Sequence, residues 1–271
     1  MYILGSILRW AVLAGYLVSA VLRIQRLRSP SDGNPRAAGT LLGLTVLAHA
    51  LLLGEAALET GRLDFLRSAT SAATLYALAV ALGTLLLEAR LRNTALGAFT
   101  VPLATLLYVV SLLDRPRHAG IDPLLDSYWF EIHVTSAFLG YTAFALATAA
   151  GVMYLALAGS IRNRRIGPFF ERLPSLETLD RLGFGAALAG LLFFTVGLIS
   201  GAVWSGSATG RAMSGEPKEL LSLVTWLLFA GVVGLRWRAG WRGRRPALLT
   251  ILGFVASLIT ILGGNSGRHP L

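Results

Sequence analysis

The chain has four histidines, His49, His118, His133 and His269, and no cysteine. This narrows the chemistry at once. Without thiols there is no disulfide, no thiolate metal site and no thiol redox couple. Neutral imidazole remains available as a metal ligand or proton carrier. No HExxH, nucleophile elbow, phosphate-binding loop or glycine-rich dinucleotide turn is present. The Gly263-Gly264-Asn265 stretch and the other glycines read as close helix packing and turns. What the histidines can do therefore depends on the elements that carry them.

Those elements are hydrophobic. Of 271 residues, 55% are hydrophobic and only 14% charged, and mean hydropathy is +0.65. Soluble domains carry about 25% charged residues. A spanning helix needs about 20 mostly apolar residues. Apolar runs occur near 2–23, 37–58, 68–88, 95–113, 128–159, 182–203, 219–235 and 246–263. Bare backbone polar groups are not tolerated in lipid, so each run is expected to be a helix. The fold class is an all-α polytopic membrane helix bundle of about eight transmembrane helices, organised as one integral membrane domain over 1–271. The first run has no basic segment before it and arginines after it, which reads as a retained helix rather than a cleaved signal.

The basic excess is almost all arginine, with Lys218 the only lysine, and it flanks the apolar runs. It points to topology and lipid headgroups rather than to nucleic acid. Odd-numbered connections hold sixteen basic residues, even connections and the C-terminal tail seven. The positive-inside rule puts the odd connections in the cytoplasm and both termini outside.

On this topology His133 opens the fifth helix at the outer face, and His269 follows the eighth at the same face. His118 lies in the outer fourth loop and reads as exposed. His49 lies within the outer half of the second run, where an ionisable group is costly and functional unless a neighbouring helix satisfies it. Two outer histidines suit the axial positions of a haem iron. Zinc, which wants three or four ligands, would need Glu131, Glu216 or Glu219 as well. Two unrelated interfacial side chains are the plain alternative. Trp129, just before His133, and Trp204, at the start of the sixth loop, are candidate apolar walls or belt residues. Arg9, inside the first run, snorkels or pairs with Glu55 or Glu59.

Two stretches carry a resemblance. Gly201 to Ala230 reads GAVWSGSATGRAMSGEPKELLSLVTWLLFA, and Pro123 to Tyr141 reads PLLDSYWFEIHVTSAFLGY. The first resembles the tryptophan-rich "WWD" segment of the cytochrome c assembly family, which includes CcsA, CcmC and HemX-like membrane proteins. Gly201, Ala202, Trp204, Ala208, Gly210, Pro217, Lys218, Glu219, Leu223, Thr225 and Trp226 match its pattern. The second is similar to the family's histidine segment, through Ser127, Trp129, His133, Val134, Gly140 and Tyr141. Thr209, Met213, Gly215 and Leu221 stand where aromatics are typical, and Glu216 stands for the aspartate. The CcsA branch has a histidine near the end of the following helix, where this chain has Gly234, Leu235 and Arg236. By overall length the HemX-like branch is the closer match.

The resemblance implies haem handling at the outer face of a bacterial-type inner membrane, by a multi-pass protein of cytochrome c biogenesis. By position, His133 and His269 would be the axial ligands of haem b. The 201–219 loop would form a hydrophobic shelf, with Trp204, Trp129 and Trp226 as aromatic contacts. His49 matches a histidine proposed in the CcsA branch to hold haem on its way outward. The implied partners are haem, apocytochrome c, a second assembly subunit and the bilayer, with no nucleic acid. The chain would form part of a haem-attachment system rather than act as a stand-alone hydrolase or oxidoreductase. A membrane subunit that keeps the fold without haem, and a small-molecule transporter, are the other readings. Inverted repeats and broken helices, the usual marks of a transporter, are not evident.

Overall fold

The computed structural model describes residues 2–28, 35–60, 69–113, 127–164, 167–213 and 215–263. His118 and His269 lie outside them. The described residues form helices α1 (Tyr2–Arg28), α2 (Pro35–Thr60), α3 (Ala69–Leu91), α4 (Gly97–Leu112), α5 (Tyr128–Arg162), a single turn α6 (Pro168–Glu171), α7 (Leu176–Thr209), α8 (Pro217–Ala239) and α9 (Arg244–Gly263). Seven of them are long and apolar enough to cross a membrane. The protein is a multi-pass membrane helix protein. The fourth apolar run gives only the 16 residues of α4, with Pro102 inside the helix; at 1.5 Å per residue it is about 24 Å long, short of a 30 Å hydrocarbon core.

The helices run past the apolar runs that seed them. Once a helix is under way, each further residue adds a backbone hydrogen bond, so long basic side chains extend it readily. Arg23, Arg26 and Arg28, counted above as connection charges, lie on α1, and Arg236 and Arg238 lie on α8. Likewise α7 continues through Thr209, so Trp204 sits on its last turns and the loop after it is confined to residues 210–216.

The chain divides into two compact units, Met1–Asp114 with Met153–Leu179, and Arg115–Val152 with Asp180–Leu271. In the first unit α1 lies against α2 and α4, and α3 against α2 and α4. A buried ion pair ties these four helices at one end. Arg23 Nη2 meets Glu88 Oε2 at 2.7 Å. Arg23 Nε and the Gly97 N–H both donate to Glu88 Oε1, at 3.1 and 3.0 Å. Arg23 Nη1 donates to the Ala38 and Ser19 carbonyls. A Cβ at Gly97 would collide with both charged side chains, so only glycine lets α4 start there.

In the second unit α5 and α7 run antiparallel in close contact. Phe130 lies against Trp204, with ring centroids 5.0 Å apart. Farther along, Gly197 meets Ala137, Gly140 meets Phe194 and Gly190 meets Phe144. Small residues let the backbones approach, which is how helices associate where lipid removes the hydrophobic driving force. Phe144 stacks on Phe229 of α8 at 3.5 Å and 8°, and Gly253 of α9 leaves room for the Phe229 ring. At the other end of this unit Asp180 accepts from Arg236 Nη1 at 2.7 Å and from the Gly243 N–H at 2.9 Å. Arg236 also stacks over Phe184, 4.4 Å from the ring centre.

Candidate functional site

The site is built on the first turns of α5 and the last turns of α7. Trp129 and His133 are four residues apart on α5 and Phe130 and His133 three apart, so all three share one side of the helix. The His133 ring lies against Gly201 of α7, where a Cβ would stand 2.5 Å from Nδ1. That glycine lets the imidazole approach the α7 backbone closely. His133 Nδ1 donates to the Gly197 carbonyl at 2.7 Å. In neutral imidazole, donation from one nitrogen leaves the other as the acceptor. His133 Nε2 makes no hydrogen bond among the described residues.

A metal-binding histidine anchors one ring nitrogen to a carbonyl or carboxylate and presents the other to the metal. His133 meets that description. One turn farther out, Phe130 and Trp204 supply an aromatic wall, and Tyr128 and Trp129 are exposed beside them. The loop after α7 folds back on the helix: Ser205 Oγ donates to the Arg211 carbonyl at 2.8 Å, and Gly210 and Gly215 take left-handed conformations, with φ of 75° and 78°. Met213 is exposed on this loop. The Gly215 N–H donates to Glu219 Oε2 at 2.8 Å, which ties the loop to the start of α8. One prepared nitrogen and an apolar wall are features that fit haem iron.

The described residues do not by themselves supply a zinc site. No three His, Asp or Glu side chains converge among the described residues, and Glu219 is engaged by the loop backbone.

Trp226 is not brought to this place. It lies on α8 and its Nε1 donates to Thr195 Oγ1 of α7 at 2.8 Å, a helix-to-helix tie about two turns from Gly201. His49 belongs to the other unit. It is fully buried. Its Nδ1 is hydrogen-bonded to the Tyr16 hydroxyl and its Nε2 to the Thr74 hydroxyl, both at 2.8 Å. The Tyr16 and Tyr108 rings pack against it edge-on. Neither nitrogen is left for iron. Arg9 is exposed and makes no ion pair among the described residues; its carbonyl accepts the Tyr108 hydroxyl at 3.2 Å.

Sequence reasoning missed the Gly197 and Gly201 contacts with His133. The signal for them was present, as Gly183, Gly190 and Gly197 recur every seven residues on the helix that also carries Gly201.

Residues 66–269 match the family model described as cytochrome c assembly protein. The chain belongs to this family. Among curated relatives, the cytochrome c biogenesis protein CcsA of Welwitschia mirabilis is 31% identical over 188 residues, covering 62% of this chain and 61% of that protein. The CcsA of Mesostigma viride is 31% identical over 205 residues, 67% of each chain. The CcsA of Prochlorococcus marinus strain MIT 9301 is 30% identical over 217 residues, covering 71% of this chain and 70% of the relative. The match to the Welwitschia protein thus spans about three fifths of its length. The family match includes both α5 with His133 and the α7–α8 segment with Trp204.

Proposed function

We propose that this cytochrome c assembly family member takes part in cytochrome c biogenesis by holding haem at the end of α5, on the extracytoplasmic side of a bacterial-type inner membrane, for delivery to apocytochrome c or to a second assembly subunit. The observation that carries the reading is the arrangement of His133, anchored through Nδ1 to Gly197 with Nε2 unengaged. His269 is the second axial ligand in this proposal. The basic excess of the odd connections supports the sidedness.

When bound, haem b would supply the vinyl groups that become thioethers in a c-type cytochrome. The chain's own part is to orient and to shield. Gly197 fixes the His133 ring and tautomer. Phe130 and Trp204 offer apolar surface to the macrocycle and exclude water. With no cysteine, the chain is not the covalent acceptor.

The test is an absorption spectrum of the protein purified in detergent, oxidised and reduced. A Soret band with reduced α and β bands, lost in His133→Ala and weakened in His269→Ala, is the expected result. Protein that stays colourless after haem addition would defeat the reading in favour of a haem-free assembly subunit.

His49 makes a separate prediction. Because both its nitrogens hold helices together, His49→Phe should leave the haem content and spectrum of the purified protein unchanged. It should lower stability by about 1–3 kcal/mol, the cost of a stranded buried hydroxyl. Loss of haem in this variant, with stability intact, would instead make His49 a ligand.

A further inference from the structure

The turn between α8 and α9 is four residues long, and it lies with both of its helices wholly among the described residues. Its backbone is fixed from both sides. The Gly240 N–H donates to the Arg236 carbonyl at 3.1 Å and the Trp241 N–H to the Leu235 carbonyl at 3.4 Å, which closes α8. The Gly243 N–H donates to Asp180 Oδ1 of α7 at 2.9 Å. Gly240 and Gly243 hold φ of 63° and 81°, a left-handed geometry that other residues adopt only with strain.

Four exposed arginines stand on this rigid turn and beside it: Arg238, Arg242, Arg244 and Arg245. Arg245 lies over the Trp241 ring, 5.3 Å from its centre. Stacking of this kind holds a guanidinium in place and leaves its N–H edge open. None of the four makes an ion pair among the described residues. Asp180 reaches the turn, but its Oδ2 is taken by Arg236 and its Oδ1 by Gly243. No Asp or Glu follows Glu219 in the sequence, and Glu219 is in the first turn of α8, at the opposite end of that helix.

The surface next to these charges is apolar. Arg244, Leu248, Leu252, Val255 and Ile259 follow one another at steps of three and four residues on α9, so they share one face. The four apolar members are exposed. Trp237, on the last turn of α8, is 68% exposed. A tryptophan at the boundary, with guanidinium groups one turn beyond an apolar face, follows the order of a bilayer surface from hydrocarbon to phosphate. Arginine's planar fork matches the oxygens of a phosphate.

We propose that the α8–α9 turn is a docking surface for anionic lipid: Arg238, Arg242, Arg244 and Arg245 take the headgroup phosphates, and the exposed face of α9 takes the acyl chains. Setting the topology would require the charge but no particular lipid, and experiment separates the two.

The protein purified in a neutral detergent would be mixed with equal amounts of phosphatidylglycerol and phosphatidylcholine of the same chain length, and retained lipid counted by native mass spectrometry. The double variant Arg244→Gln with Arg245→Gln is compared with Arg90→Gln with Arg162→Gln, which removes the same charge from exposed positions on the last turns of α3 and α5. The expected result is retention of phosphatidylglycerol over phosphatidylcholine, weakened roughly tenfold or more in the first double variant and unchanged in the second. Arg238→Gln with Arg242→Gln, which leaves α9 untouched, should show the same loss and covers the case in which the first variant fails to fold by circular dichroism. No preference for phosphatidylglycerol in the wild type, or equal loss in the Arg90 and Arg162 control, would overturn the proposal. Displacement of the retained lipid by millimolar inorganic phosphate would overturn the assignment to lipid.

Discussion

Glu88→Ala is expected to destabilise the protein by about 3–5 kcal/mol, because it leaves the Arg23 guanidinium buried without its counter-ion. Arg23 is 1% exposed and Glu88 5%, so water cannot replace the lost partner. The Gly97 N–H would lose its acceptor as well. The effect should appear as a lower midpoint in chemical denaturation of the detergent-solubilised protein. Arg23→Met combined with Glu88→Leu should recover much of the loss, since removing both charges also removes the cost of dehydrating them. A Glu88→Ala variant with unchanged stability would mean that the pair is hydrated, contrary to its burial.

Gly201→Ala is expected to weaken haem binding about 10- to 100-fold, the usual range for a change behind a metal-binding histidine. The added Cβ would stand 2.5 Å from His133 Nδ1 and 2.8 Å from Cε1. The ring must turn or α7 must move, and either loosens the hydrogen bond to Gly197. Gly185→Ala on the same helix meets nothing within 4 Å and serves as the control. Haem titration followed by Soret absorbance reads the difference. Equal affinities for the two variants would remove His133 from the binding account.

Much of the fold could be read from hydropathy, because in lipid a long apolar run has only one way to satisfy its backbone. The helix ends could not be read this way. Arg23 looks like a connection charge in one dimension, and only the approach of Glu88 from α3 explains why it is buried. Trp204 looked like the first residue of a loop because the apolar run thins near residue 203, yet backbone hydrogen bonding carries α7 on to Thr209. In the candidate site, His133 and Trp204 could be identified from their motifs. Their support could not, since the Gly197 carbonyl and Gly201 matter only once α5 and α7 are in their observed alignment. Trp226 matched a motif too, but its indole N–H is spent on Thr195. His49 was singled out as an ionisable group inside a membrane run; Tyr16 and Thr74, on other helices, answer its polarity.

The seven-residue spacing of Gly183, Gly190 and Gly197 has a consequence for how α5 and α7 find one another. A seam that repeats every seven residues nearly matches itself after a slip of about 10 Å, so glycine contacts alone do not choose between meshings. The side chains break the tie. A slip in one direction would bring His133 against Phe194, two rings where the backbones are closest. A slip in the other would carry the Gly197 carbonyl away from His133 and leave a buried N–H bare, a penalty of the kind by which single polar residues fix helix register. The imidazole proposed to hold iron is thus also the peg that keeps two long helices in step.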